Sequence, residues 1–277
     1  MKMPGERDPL YVAARRVLLD ALQALRDHLD ALVLVGAQAV YVHAGETDLA
    51  VAAYTTDGDL AIDSTCLGPE PLIETALANA GFAQKTNAVG IWHRSVDARG
   101  GQHDVAVDLL VPESLGGRGR RGARIPPHGP HVARKVVGLE AALVDKDLRE
   151  ITALDPLDNR RFEIAVAGPA GLLVAKIHKI RERLDEPDRL SDKDALDVYR
   201  LLRSVPTDEL AHRMLVLQET DLSHGVTAFA IEGLSTLFDS PRAQGCIMAA
   251  RAAEPIADGE TLAASLAVLT EDLLEVL

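Results

Sequence analysis

The chain has 277 residues, 47% hydrophobic and 26% charged, enough to bury a sizeable core in one large domain or two smaller ones. Only two cysteines, Cys66 and Cys246, are present and they lie far apart, which argues against a disulfide framework or a thiolate zinc site and fits a reducing cytoplasm. The net charge of −13 repels phosphate backbones, so any nucleic-acid contact requires a local basic surface.

The N-terminal stretch MKMPGERDPLYVAARR is charged where a signal peptide needs an apolar core. No apolar run approaches the roughly 18 residues needed to span a bilayer, so a soluble chain with no membrane partner is expected. Residues 10–30 place Leu18, Leu22, Leu25 and Leu29 at helical spacing. Leu32 to Val35 form a short apolar run ending at Gly36, and AQAVYVHA then reads as a helix stopping at Gly45: strand, tight turn, helix. Residues 59–63, DLAID, predict a strand with Asp59, Ala61 and Asp63 on one face. The segment 69–80 predicts a helix opened by prolines, and 89–95, 104–111 and 162–167 predict further strands. In the second of these, Asp104, Ala106, Asp108 and Leu110 share a face by period-two alternation.

Between them, residues 116–135 read GGRGRRGARIPPHGPHVARK, six basic residues with no acid. Glycine and proline predict a solvated, flexible loop, with phosphate binding as the alternative. From Gly168 the pattern is helical, at 168–185, 191–203, 207–218, 223–238 and 258–276. The expected fold class is therefore α+β, a mixed-sheet lobe over 1–167 followed by an α-helical lobe over 168–277.

The candidate chemistry lies in TTDGDLAID. Asp57 and Asp59 are two residues apart, so on an extended backbone both carboxylates project from one face and can bracket a magnesium ion, which keeps other positions for water and phosphate. Asp108, mid-strand among valines and leucines, is the leading third carboxylate, because an ionised group there needs a cation or hydrogen bonds. The turn at Gly36-Ala37 supplies backbone N–H groups at a helix N-terminus, where phosphate oxygens are favoured. His43, His93 and His103 lack metal-cluster spacing and are expected to be structural or exposed, and Trp92 is expected in a core or interface.

In this order the residues resemble the nucleotidyltransferase superfamily, where a glycine-containing strand-to-helix turn precedes D-x-D and a later strand carboxylate. The family turn usually reads Gly-Gly or Gly-Ser. Here it reads Gly36-Ala37-Gln38, so no serine hydroxyl is available for phosphate. The stretch LLVAKIHKIRERLDEPDRLSDKDALDVYRLL further resembles bacterial abortive-infection and toxin–antitoxin nucleotidyltransferases of the AbiEii and MenT type, with Lys176, the Lys193-Asp194 pair and Asp197 in the places of the family motif.

The resemblance implies transfer of a nucleoside monophosphate from a nucleoside triphosphate to RNA, with tRNA favoured as acceptor. It gives Asp57 and Asp59 to Mg2+ or Mn2+, Asp108 to a second metal or the acceptor's proton, Lys176 to the triphosphate, and Asp194 to positioning Lys176 or contacting the nucleotide. It also implies a cognate antitoxin protein, kinase-like in some members, so that phosphate on Thr55 or Thr56 would obstruct triphosphate binding. A competing reading is adenylylation of a small molecule or protein, which needs no basic surface. A third is a non-catalytic partner-binding module on the same fold.

Overall fold

The computed structural model describes residues 8–45, 55–84, 88–184, 186 and 191–277. Its elements in chain order are α1 (Pro9–Ala24), β1 (Leu32–Val35), α2 (Gly36–Ala44), β2 (Asp57–Ile62), α3 (Ile73–Asn79), β3 (Ala83–Gln84), β4 (Ile91–Ala98), β5 (Gly101–Pro112), β6 (Arg134–Val136), α4 (Glu140–Val144), β7 (Lys146–Thr152) and β8 (Arg161–Ala167). Helices alone follow: α5 (Pro169–Arg183), α6 (Asp192–Ser204), α7 (Thr207–Glu219), α8 (His224–Leu237), α9 (Gln244–Ala253) and α10 (Gly259–Val276). The fold is α+β, with a mixed open sheet and a helical C-terminal part. Its contacts fall into two compact units, one of Met1–Gln38, Ala53–Val136 and Asp147–Val166, the other of Ala39–Ala52, Val137–Lys146 and Ala167–Leu277.

The first unit carries the sheet, ordered β3-β4-β5-β2-β1-β8-β7, with β6 added beside β5. Strand β2 is central, antiparallel to β1 and parallel to β5. The helix α1 is capped by Asp8, whose carboxylate accepts from the Leu10 N–H at 2.8 Å, and packs on β2, β4 and β5. Leu18 lies against Gly58, where a Cβ would come within 3.2 Å of the Leu18 side chain. One face of β2 is thereby sealed by α1, and alternation turns Asp57 and Asp59 to the other.

Several elements differ from the sequence expectation for identifiable reasons. The helix over 10–30 stops at Ala24 and continues as a 3₁₀ turn, Arg26–Ala31. The helix expected over 69–80 begins at Ile73, because Glu70 precedes Pro71 and is biased away from helical backbone. Its first N–H, from Ile73, donates to His128 Nδ1 at 3.2 Å. The β4–β5 hairpin is longer than expected, closed by Arg99 and Gly100, both at positive φ as a tight two-residue turn requires.

Residues 116–135 are not a free tether. Ala123, Ile125, Val132 and Ala133 are buried, the Ala123 N–H donates to Ala133 O at 2.9 Å, and β6 pairs with β5 in register Leu110↔Arg134. The Trp92 indole N–H donates to Val132 O at 3.0 Å, placing Trp92 in the core of this unit.

In the second unit α5 packs against α4, α6, α7 and α8, while α9 joins α6 and α10. Asp145 accepts from the Gly171 N–H at 2.8 Å and pairs with Arg213 at 2.7 Å, satisfying a donor in the first turn of α5. The helix α9, absent from the sequence reading, is short and alanine-rich, and Gly245 lets it approach Phe238, whose ring a Cβ there would meet at 2.3 Å. Asp185 and residues 187–190, which belong to the stretch resembling the toxin family, lie outside the described residues. Among the described residues no helix is long and apolar enough to cross a membrane.

Leu18 is fully buried between α1 and the strand bearing the aspartates. Leu18→Ala is expected to destabilise the protein by about 2–5 kcal/mol, read from the shift in urea midpoint at unchanged denaturant slope.

Candidate active site

The register of the sheet assembles the three predicted carboxylates. Asp59 is the partner of Asp108 on β5 and of Val35 on β1, and Asp57 is the partner of Ala106. Paired residues project to the same side, so Asp57, Asp59 and Asp108 share the face opposite α1. His93, the partner of Ala106 on β4, shares it too.

Each carboxylate has a distinct environment. Gly36 follows β1 at φ +69°, and a Cβ there would fall 1.9 Å from Asp59 Oδ2. The turn is glycine both because of its backbone and because the Asp59 carboxylate occupies the side-chain position. Asp57 Oδ1 accepts from the Thr55 hydroxyl at 2.5 Å. Thr55 is buried and Thr56 exposed, so of the two threonines proposed as a control point one already has its hydroxyl bonded to Asp57.

Asp108 pairs with Arg134 of β6, Oδ2 to the guanidinium at 2.6 Å. Burial pushes the Asp108 carboxyl above the ordinary carboxylate range. Arg134 pulls it back in part, Asp57 adds to the rise, and His93 opposes it.

Two residues outside the predicted set hold this arrangement in place. Gln38, in the first turn of α2, donates from Nε2 to the Asp57 carbonyl at 2.8 Å and accepts from Arg15 Nε at 2.7 Å. Arg15, on α1, also donates to Thr152 O at 2.9 Å. The third turn residue is therefore a buried brace between α1 and β2. A polar residue directly after Gly36-Ala37 was the only local signal for it.

Among the described residues no group of three His, Cys, Asp or Glu side chains is drawn together as a metal cage. Magnesium does not require one. Two carboxylates with water and phosphate oxygens complete its octahedron, and the hard oxygen donors of Asp57 and Asp59 fit that chemistry. The like-charge effect of Asp57 on Asp108 is one that a cation would relieve.

Lys176 and Asp194 lie in the second unit, in a buried ionic cluster. Lys176 is 5% exposed, and its ammonium donates to Asp194 at 2.8 Å and to Asp197 at 2.7 Å. Lys179 joins Asp194 at 2.9 Å and Arg200 joins Asp197 at 2.8 Å. Burial alone would lower the Lys176 ammonium, but the two aspartates outweigh it and hold it well above the usual lysine range. Burial likewise raises Asp194, and Lys176 with Lys179 overcome this and hold it at about 2. The charge expected to face a triphosphate is thus engaged by two carboxylates. A cavity of about 410 Å³ in the same unit, lined by Asp145, Glu209, His212 and Arg213, contains none of the predicted residues.

Comparison of the chain with protein-family models, curated proteins and solved structures gave no match in any of the three.

Gly36→Ala meets both the left-handed backbone and the Asp59 carboxylate, and is expected to cost at least about 1 kcal/mol in denaturation. Gly225→Ala, in α8 with nothing near its Cβ position, should instead be neutral or stabilising by about 0.5–1 kcal/mol.

Asp194→Asn leaves buried Lys176 one carboxylate short and is expected to cost about 3–5 kcal/mol near neutral pH. The folded Asp194 at about 2 lies below its ordinary 3.8, so its contribution is present above about pH 4 and lost as pH falls through 2. Stability measured against pH should therefore fall less steeply over that window in the variant than in the wild type.

Proposed function

We propose that the chain is a metal-dependent nucleotidyltransferase, a toxin of a toxin–antitoxin pair acting in the cytoplasm, which transfers a nucleoside monophosphate from a nucleoside triphosphate to RNA. The observation that carries this reading is the shared sheet face of Asp57, Asp59 and Asp108, with the Gly36 turn lying against Asp59. Chemistry of this kind needs little more from a protein than positioning and charge.

Asp57 and Asp59 would hold Mg2+ or Mn2+, which when bound supplies positive charge to the triphosphate oxygens. The Thr55 hydroxyl and the Gln38 brace orient Asp57. The Gly36-Ala37 turn opens α2, where backbone N–H groups favour phosphate. Asp108, with its proton affinity raised by burial and by Asp57, is suited to accept the proton of the acceptor hydroxyl. The acceptor oxygen forms its bond to the α-phosphorus as the bond to the β-phosphate bridge breaks, and pyrophosphate leaves. Lys176 and Asp194 enter through the family resemblance, and their pairing at 2.8 Å supports a role in which Asp194 holds Lys176 in position. The antitoxin likewise enters through the resemblance.

The acidic net charge favours a second reading, a small-molecule or protein acceptor, and one experiment separates the two. Purified protein is incubated with magnesium, each α-labelled nucleoside triphosphate and total tRNA. Label is expected in RNA with the wild type, and Asp57→Ala should reduce the rate by at least about a hundredfold. Lys176→Ala should reduce it too, with its stability measured alongside. Label in protein or an added small molecule would move the assignment to the second reading. Nucleotide binding without transfer would leave a partner-binding module.

A further inference from the structure

The loop between β5 and β6 carries Arg118, Arg120, Arg121 and Arg124 in a chain whose net charge is −13. All four are exposed. Among the described residues none of the four guanidinium groups lies within 4.0 Å of a carboxylate or makes a hydrogen bond. Elsewhere several arginines of this acidic chain are paired: Arg16, Arg94, Arg160, Arg213 and Arg251 each hold an aspartate.

The backbone of this loop is held at Arg121 and Arg124. The Arg124 N–H donates to Gly116 O at 2.9 Å, and the Lys135 N–H to Arg121 O at 2.8 Å. A Cβ at Gly122 would meet Pro130 O at 2.4 Å, so the two limbs of the loop cross in close contact. Ile125 and Val132 are buried beneath, and the Gly90 N–H donates to His131 O at 2.9 Å. Much of the entropy of ordering the loop is therefore met by folding and not by ligand binding. The same loop returns through β6, where Arg134 reaches Asp108.

We propose that residues 116–135 form a docking surface for the sugar–phosphate backbone of single-stranded RNA and guide its end toward Asp108. The choice of RNA over other polyanions rests on the nucleotidyl-transfer reading. Four guanidinium forks along seven residues suit successive phosphodiesters, each able to take two parallel hydrogen bonds, and exceed what one free phosphate would occupy. The segment contains no Phe, Trp or Tyr. With His131 the one exposed aromatic ring of the segment, recognition is chiefly by backbone charge: tolerant of sequence and sensitive to salt.

The test is filter binding of a labelled single-stranded RNA oligonucleotide to the full chain over a range of salt, comparing wild type with the quadruple variant Arg118→Gln/Arg120→Gln/Arg121→Gln/Arg124→Gln. Four phosphate contacts predict that the logarithm of the wild-type association constant falls with the logarithm of salt at a slope of about −2.8. The variant should lose most of that slope and at least about a hundredfold in affinity at low salt, with its thermal unfolding and its magnesium-dependent nucleotide binding unchanged. Wild-type affinity and slope in the variant, or no RNA binding by the wild type, would overturn the proposal. So would equal binding of a polyglutamate peptide, which would mark the surface as a site for an acidic protein. Nucleotide transfer is scored separately: RNA binding that depends on the arginines, without transfer, supports the surface and counts against the catalytic reading alone.

Discussion

Asp59 and Asp108 are directly paired across parallel strands, with Asp57 one step along the same face, and like charges so placed repel. The first unit is arranged around that repulsion. α1 closes the opposite face, so the carboxylates have one side to project from. Arg134 reaches across from β6 to Asp108, Thr55 donates to Asp57, and Gly36 gives up its side-chain position to Asp59. These contacts lessen the strain without removing it, since burial and Asp57 still hold the Asp108 proton affinity high. On the proposed reading, a cation brought with the triphosphate would complete what the protein leaves partly balanced.

The second unit handles buried charge differently. Lys176 sits among two aspartates, with Lys179 and Arg200 completing the cluster, and its donors and acceptors are matched at short distances. Such a network adds little net stability over apolar packing, but any mispairing of α5 against α6 would strand a buried charge. The alignment of α5 and α6 observed is one in which each of these buried charges has its partner.

How much of this was legible depended on the range of the interaction. Period-two alternation placed Asp57 and Asp59 on one face of a strand and grouped Asp108 with Asp104, Ala106 and Leu110 on one face of another, because alternation is local, whereas the coincidence of the two faces comes from the strand register. The strand and helix carrying Gly36 could be read the same way. Gln38 and Arg134 could not: each acts on a partner about twenty residues or more away, and neither has a periodic signature. The loop over 116–135 was misleading for a different reason. Glycine and proline are needed both by flexible linkers and by tight backbone crossings, and composition alone does not separate them. Gly122 against Pro130 is the second kind. Lys176 was singled out through the family motif that it resembles. Its two carboxylate partners are on the next helix, where sequence order showed proximity along the chain but not the shared contact.

Trp92 is the one tryptophan in the chain, buried in β4, and its indole N–H is bonded to the carbonyl of Val132 within the basic loop. Indole emission responds to the polarity around the ring and to its hydrogen bond, so the attachment of this loop to the sheet has its own optical signal. Excitation of the native chain, with no dye attached, reports whether the loop remains docked as salt, polyanion or denaturant is varied. The tyrosines add only a shorter-wavelength background.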